Sequence, residues 1–343
     1  MSIEKLKTEI DSALVRQVNQ LWQELTEIDS QLVPIANSLQ NYLASGKRFR
    51  PLFALIGCIG AGAEVTPSIL NAANCLELLQ ACALIHDDLM DGSDTRRGEP
   101  AIHKQFSAIA GENFGAAAAI LIGDLALSWS HKLLNDSGIP LSALTNATQV
   151  HSNMQTELMA GQFLDVFEQT QNNFSVERAL KIARFKSGKY SIERPLHFGA
   201  ALAQPKELDL YFDIYSEYGL PLGEAFQLRD DLLGVYGDPN LTGKPAGDDL
   251  REGKRTALIA FAFDRGSNAI KHLISSKLGT KLTASEIDQL RSAILESGAV
   301  IHVEDLIEKL AEASLDALER PELNVDAKSM LIQMVELVTQ RTR

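Results

Sequence analysis

The chain has 343 residues, 45 % hydrophobic and 6 % aromatic, with a formal net charge of -13. That composition can bury a large core and is unlike that of a disordered chain. The acidic balance disfavours nucleic acid as a partner and simple electrostatic attraction to an anionic membrane.

Helical periodicity runs through almost the whole sequence. Over 3–27 the apolar residues Ile3, Leu6, Ile10, Leu14, Val18, Leu21 and Leu25 recur at three and four, the stripe of an amphipathic helix. Further helices are predicted over 31–44, 50–61, 67–90, 112–135, 140–171, 174–202 and 206–236. A C-terminal set follows over 255–277, 284–298, 301–318 and 325–340. Alternating β patterns are scarce, and no pair is joined by a turn of the Asn-Gly type. Breaks fall where turn chemistry places them, at Asn135-Asp136-Ser137-Gly138-Ile139-Pro140, Gln204-Pro205, Lys277-Leu278-Gly279 and Arg320-Pro321. None has the length of an inter-domain linker. The one extended irregular stretch is 237–253, rich in Gly, Pro, Asp and Lys; loops of that length commonly carry function. Length alone argues for two domains, but the pattern is that of one large all-α domain over 1–343.

Cys58, Cys75 and Cys82 are odd in number and form no Cys-x-x-Cys pair. Neither a disulfide framework nor a zinc site is expected, and a reducing compartment fits. Met1-Ser2-Ile3-Glu4-Lys5 opens no apolar signal region, and Glu4, Glu9 and Asp11 do not suit a transit peptide. No apolar stretch is read as approaching the roughly 20 residues that span a bilayer. The expectation is a soluble, cytoplasmic protein.

Two acidic clusters carry the chemistry. Asp87, Asp88 and Asp91 end the 67–90 helix, at spacings that let all three face one way. Like charges so placed destabilise a bare helix, and acids at its C-terminus oppose the macrodipole, so a cation is needed. Hard oxygen ligands favour magnesium, which binds a few carboxylates together with substrate phosphates. Arg96-Arg97-Gly98 follows at once. Gly46-Lys47-Arg48-Phe49-Arg50-Pro51 is a glycine-and-basic turn entering a helix, where backbone donors with Lys47 and Arg50 suit a diphosphate. In the second cluster Gln227, Asp230, Asp231 and Gly234 share one helical face, followed by Asp238, Lys244, Asp248, Asp249 and Lys254. The stretch through Gly243-Lys244-Pro245 fails as a phosphate loop: Pro245 stands where Ser or Thr is required, and the preceding segment reads as helix.

Leu79-Gln80-Ala81-Cys82-Ala83-Leu84-Ile85-His86-Asp87-Asp88-Leu89-Met90-Asp91 with Arg96-Arg97-Gly98 resembles the first aspartate-rich motif of the trans-isoprenyl diphosphate synthases. Phe226-Gln227-Leu228-Arg229-Asp230-Asp231 resembles their second. The basic turn, Gly161-Gln162-x-x-Asp165, Lys186-Ser187 and the two lysines stand in the family's order, over about residues 40–260. The resemblance implies helices around a central cavity, a homodimer with one site per chain, and head-to-tail joining of isopentenyl diphosphate to an allylic diphosphate. By motif position, Asp87 and Asp91 ligate two magnesium ions with Asp88 in support, and Asp230 holds a third with Asp231 nearby. Arg96, Lys186 with Ser187, Gln227, Lys244 and Lys254 meet the allylic diphosphate. Lys47, Arg50, Gln80 and Arg97 hold isopentenyl diphosphate, and Gln162 and Asp165 support the metal site.

Two departures stand out. Gly234 replaces the usual third aspartate of the second motif, with Asp238 and Asp249 as candidates to compensate, and Gln80 stands where many relatives carry histidine. The product is expected to grow along the 67–90 helix, where Ala83 and Cys82 lie one turn below Asp87, about 6 Å along the axis. Small residues there leave the path open where aromatics shorten products in relatives. Leu79, Leu78 and Cys75 offer a floor, and Ala116 to Ala119 add no bulk. That pattern favours geranylgeranyl over farnesyl diphosphate, with longer products as an alternative; equally, small residues serve close helix packing. A terpene cyclase is disfavoured because its second metal motif does not match 230–238. A weakly catalytic subunit of a heteromeric synthase is supported by Gly234 alone. Arg341-Thr342-Arg343 reads as a solvated tail.

Overall fold

The computed structural model describes residues 2–171, 173–238 and 247–340. In chain order the helices are α1 (Ile3–Ile28), α2 (Val33–Leu43), α3 (Phe49–Gly60), α4 (Pro67–Ala73) and α5 (Cys75–Asp91). A two-residue hairpin follows, β1 (Thr95–Arg96) with β2 (Glu99–Pro100). Then come α6 (Ile102–Ala110), α7 (Glu112–Asn135), α8 (Leu141–Gln169), α9 (Val176–Ala183), a π-helical segment (Arg184–Glu193), α10 (Arg194–Ala203) and α11 (Leu208–Tyr236). The chain ends in α12 (Asp248–Glu252), α13 (Ala257–Arg265), α14 (Asn268–Lys277), α15 (Ala284–Glu296), α16 (Ala299–Asp316) and α17 (Val325–Thr339). The all-α expectation holds.

Helix starts follow local chemistry. Ser2, Thr66, Ser175, Thr256 and Ser267 accept from the backbone at N-caps, and Thr283 with Glu286 forms a full capping box. Four local departures have physical reasons. The 67–90 run is broken at Asn74, whose buried side chain donates to Gln17 Oε1 on α1 at 2.7 Å. Helix α6, nine residues long and buried through Ile102, His103 and Phe106, was too short to be read from periodicity. In the hairpin, Arg97 and Gly98 both have positive φ, 55° and 81°, the type I′ turn with arginine in place of asparagine. Predicted helix 255–277 ends early at Gly266, and Ser267 caps the next one.

The chain divides into two compact units, each built from three separated stretches. The first comprises Met1–His151, Pro195–Phe212 and Pro321–Met330. Its core includes Leu6, Ile10 and Leu14 of α1, Leu52 to Ile56 of α3, and Leu76, Leu78 and Leu79 of α5. Helices α3 and α10 meet through glycines: a Cβ on Gly199 would stand 1.9 Å from the Ala54 carbonyl, and one on Gly57 would stand 2.6 Å from that of Leu196. Helix α7 lies along α5, with Gly123 beneath the His86 ring.

The second unit comprises Ser152–Arg194, Asp213–Arg320 and Leu331–Arg343. Leu228, Leu232 and Val235 of α11 pack with Leu258 of α13, Ile274 of α14, Leu290 and Ile294 of α15, and Val303 of α16. The π-helical segment approaches α11 at Gly188 and Gly223, where a Cβ on Gly223 would stand 2.5 Å from the Gly188 Cα. A π-helical stretch is rare and is found mostly at functional sites.

One expectation is corrected. Two stretches, Pro67–Asp91 and Glu112–Asn135, are by length and composition apolar enough to cross a membrane. The first is α4 and α5, 67 % buried inside the fold, so core burial accounts for most of its apolar character. The second, α7, leaves Phe114, Ile120 and Leu121 exposed.

Gly199→Ala forces a methyl into the Ala54 carbonyl, a contact relieved only by moving backbone. The expected cost is about 1–3 kcal/mol of stability, measured by denaturant unfolding. An unchanged midpoint would contradict the α3–α10 contact.

Candidate active site

In the first unit, the end of α5 sorts its three aspartates into two environments. Asp88 is 1 % exposed and turned inward. The Arg96 guanidinium donates to it from Nε, at 2.9 and 3.0 Å to its two carboxylate oxygens, and from Nη2. Asp87 and Asp91 are half-buried on a stripe of α5 that continues through the half-buried Leu84, Ala83 and Gln80 at three- and four-residue spacing; His86 and Leu89 are half-buried and Met90 exposed beside it. The spacing argument that all three aspartates face one way is corrected: Asp88 faces the hairpin, and Asp87 lies 3.6 Å from Arg96 Nη2. Gly92, φ 69°, ends the helix and turns the chain toward the hairpin.

The basic turn at the start of α3 is organised by a residue that sequence reasoning left unassigned. Lys47 is exposed, its Nζ 5.7 Å from the Phe49 ring centroid, and Arg50 is half-buried. Arg48 between them is 4 % exposed, paired with Glu77 at 2.6 Å and Asp11 at 2.7 Å. The available signal was Glu77, an acid inside an apolar helix, which needs a cation when buried. Arg97 donates to the carbonyls of Tyr42 (3.1 Å) and Ser45 (2.6 Å), and its guanidinium lies over the Tyr42 ring.

The two small residues beneath the first motif differ. Ala83 lies on the accessible stripe. Cys82 is buried with its Sγ 3.8 Å from His86 Nδ1, and His86 Nε2 lies 3.1 Å from the Ile120 carbonyl of α7. Burial, with the Asp124 charge adding to it, pushes the Cys82 thiol up to about 12. Leu79 is buried as well. Ala118 and Ala119 are buried in α7, so close packing accounts for part of the small-residue pattern.

In the second unit, Lys186 lies on the π-helical segment and donates to Asp165 of α8 at 2.7 Å. Gly161 makes this possible, since a Cβ there would stand 2.5 Å from the Lys186 backbone nitrogen. Gln162 and Ser187 are half-buried on the same two elements. On α11, Asp231 is 2 % exposed and accepts from Gln227 Nε2 (2.8 Å) and from the Ala257 amide opening α13 (3.0 Å). Burial first, then the charges of Asp249 and Asp230, push its carboxyl up to about 8. Asp230 is half-buried one residue earlier.

Gly234 resolves one departure. A Cβ there would stand 1.9 Å from Asp249 Oδ2, so the α12 carboxylate fills the space a third aspartate's side chain would enter. Asp238, the other candidate to compensate, is exposed. Lys254 Nζ lies 2.6 Å from Glu252 and 3.7 Å from Asp249. Lys244 and the tail Arg341-Thr342-Arg343 lie outside the described residues.

Among the described residues no three His, Cys, Asp or Glu side chains already form a metal cage. The donor set still fits magnesium, which takes one or two carboxylates and completes its shell with water and substrate phosphate. Asp87 and Asp91 on α5 and Asp230 on α11, each half-buried at a helix surface, are carboxylates of that kind.

These features have counterparts in known proteins. Residues 33–294 match the polyprenyl synthetase family. The chain is 31 % identical to the geranylfarnesyl diphosphate synthase of Aeropyrum pernix, over 89 % of this chain and 93 % of that one. It is 28 % identical to the geranylgeranyl diphosphate synthase of Methanosarcina mazei, over 96 % and 99 %. Among solved structures, the Corynebacterium glutamicum geranylgeranyl pyrophosphate synthase, complexed with isoprenyl diphosphate and magnesium, superposes with a TM-score of 0.95. The two share 37 % identity, covering 99 % of this chain and all of that one. Since the family match spans every motif from the basic turn to Lys254, the chain belongs to the polyprenyl synthetase family.

Proposed function

We propose that the chain is a magnesium-dependent all-trans prenyltransferase that condenses isopentenyl diphosphate head to tail with an allylic diphosphate. Geranylgeranyl diphosphate is the main product of this reading. The observation that carries it is the sorting of the first motif: Arg96 occupies Asp88, and Asp87 and Asp91 stand on the accessible stripe of α5. In that reading Asp87 and Asp91 hold two magnesium ions and Asp230 a third. Asp165 supports them with Gln162, and Asp231 and Gln227 brace the second motif through their mutual hydrogen bond.

Ionising the allylic carbon–oxygen bond leaves a carbocation and a diphosphate anion. When bound, magnesium neutralises charge on the departing diphosphate. In this reading Lys186, Ser187, Arg96 and Lys254 orient that group with donors that are worth most where water is excluded, and Lys244 contributes a further positive charge. Lys47, Arg50, Gln80 and Arg97 hold isopentenyl diphosphate so that its double bond faces the cation. The proton lost afterwards passes to the released diphosphate, so no strong protein base is required.

Ala83, Cys82 and Leu79 set product length in this reading. The name of the Aeropyrum relative supports a second reading, a product one isoprene unit longer. A weakly catalytic subunit is disfavoured, because Asp249 supplies a carboxylate at the Gly234 gap. The exposed apolar residues Phe114, Ile120 and Leu121 on α7, and Met159, Phe163 and Phe167 on α8, support a homodimer, since patches of this kind mark protein contacts. The three free cysteines, all buried, suit work in the reducing cytoplasm.

Purified protein given magnesium, isopentenyl diphosphate and each allylic primer in turn should form twenty-carbon diphosphate alone, without a partner chain. Absence of condensation would sink the reading. Ala83→Phe should shift the product to fifteen carbons, and Cys82→Phe should shorten it too while displacing His86 from its seat over Gly123. Retained activity with unchanged product length in both would remove this helix as the measuring wall.

Gly234→Asp restores the usual motif residue but drives its side chain into Asp249. We expect kcat to fall about tenfold or more, equivalent to about 1.4 kcal/mol, with recovery in the double variant Gly234→Asp/Asp249→Gly. A gain of activity in the single variant would show that the gap is not filled.

A further inference from the structure

Arg48 carries one of the most completely engaged guanidinium groups in the first unit. Its Nε donates to Asp11 Oδ1 at 2.7 Å and its Nη2 to the Leu43 carbonyl at 2.6 Å. Its Nη1 donates to Glu77 Oε2 at 2.6 Å and to the Ser45 carbonyl at 3.4 Å. The residue has φ 59°, so the backbone turns left-handed there, which costs a non-glycine residue energy unless its surroundings hold it. Gly46 makes room: a Cβ there would stand 2.9 Å from Arg48 Nη1. The left-handed residue sits between Lys47, which is exposed, and Arg50, which is half-buried, while its own side chain is 4 % exposed.

One of these carbonyls, that of Ser45, serves a second arginine. Arg97, at φ 55° in the hairpin, donates to Tyr42 and Ser45 from Nη1. Two arginines in left-handed backbone positions therefore converge on carbonyls at the C-terminal end of α2 and just beyond it, where the helix dipole favours cations. Ser45 accepts from both. Its carbonyl joins the turn bearing Lys47 and Arg50 to the hairpin bearing Arg97.

We propose that Arg48 is a positioning residue for isopentenyl diphosphate, acting through the turn that presents Lys47 and Arg50 and, by way of the Ser45 carbonyl, through Arg97. The proposal rests on the reading that those three side chains hold that substrate. Arg48 itself, 4 % exposed and engaged by Asp11, Glu77, Leu43 and Ser45, acts through the turn and not on the substrate. Lysine cannot replace it, because a single ammonium cannot match the planar fork that reaches Asp11, Glu77 and Leu43 together.

The test is steady-state kinetics of the full-length protein with each substrate varied. Arg48→Lys should raise KM for isopentenyl diphosphate at least tenfold, leave KM for the allylic diphosphate within twofold, and change kcat less than threefold. Arg48→Met leaves Glu77 buried and uncompensated, so it is paired as Arg48→Met/Glu77→Met, where no buried charge is stranded. The milder Asp11→Asn, at a half-buried partner, should raise the same KM about threefold. An unchanged KM for isopentenyl diphosphate in the folded variants, or an equal rise for both substrates, would overturn the proposal and leave Arg48 a core ion pair. Lys47→Ala separates the two levels: an unchanged KM for isopentenyl diphosphate there overturns the underlying reading, and the proposal with it.

Discussion

A buried carboxylate must find donors, and that requirement shapes both acidic clusters. Asp88 is enclosed because Arg96 meets both its oxygens, and Asp231 because Gln227 and the Ala257 amide do so. Each of these inward aspartates ties the last turns of a helix to a later segment of chain, α5 to the hairpin and α11 to the start of α13. Their neighbours Asp87, Asp91 and Asp230 are thereby left half-buried on rigid helices. Within each Asp-Asp pair the division is structural: the second residue anchors and the first is presented.

The basic residues obey the same logic in reverse. Arg48 is spent on Glu77 and Asp11, and Lys186 is held by Asp165 over a glycine that admits its backbone. Cations that would otherwise wander on long side chains are referenced to carboxylates and carbonyls. A site that must stabilise charge as it develops gains from such fixed donors, since they need little reorganisation during the reaction.

Much of this was legible in the sequence. The three- and four-residue spacing gave the helices, and motif order gave the family, because carboxylates and cations in that density have few structural uses. What escaped was decided by contacts distant in sequence. Asn74 breaks its helix because Gln17, on α1, accepts from it. Arg48 turns inward for Glu77, 29 residues away. The hairpin was missed because arginine took the left-handed position that asparagine usually fills. Gly234 read as a missing carboxylate, and it proved to be the space for Asp249, which belongs to another helix.

The central claim is that the presented aspartates of both motifs bind divalent ions jointly with a diphosphate. Manganese binding followed by electron paramagnetic resonance, with and without inorganic diphosphate, tests it without requiring turnover. The account predicts weak manganese binding alone and tight binding once diphosphate is added, reduced by Asp87→Asn and by Asp230→Asn but far less by Asp238→Asn. Diphosphate-independent binding, or binding indifferent to both Asp87 and Asp230, would contradict it.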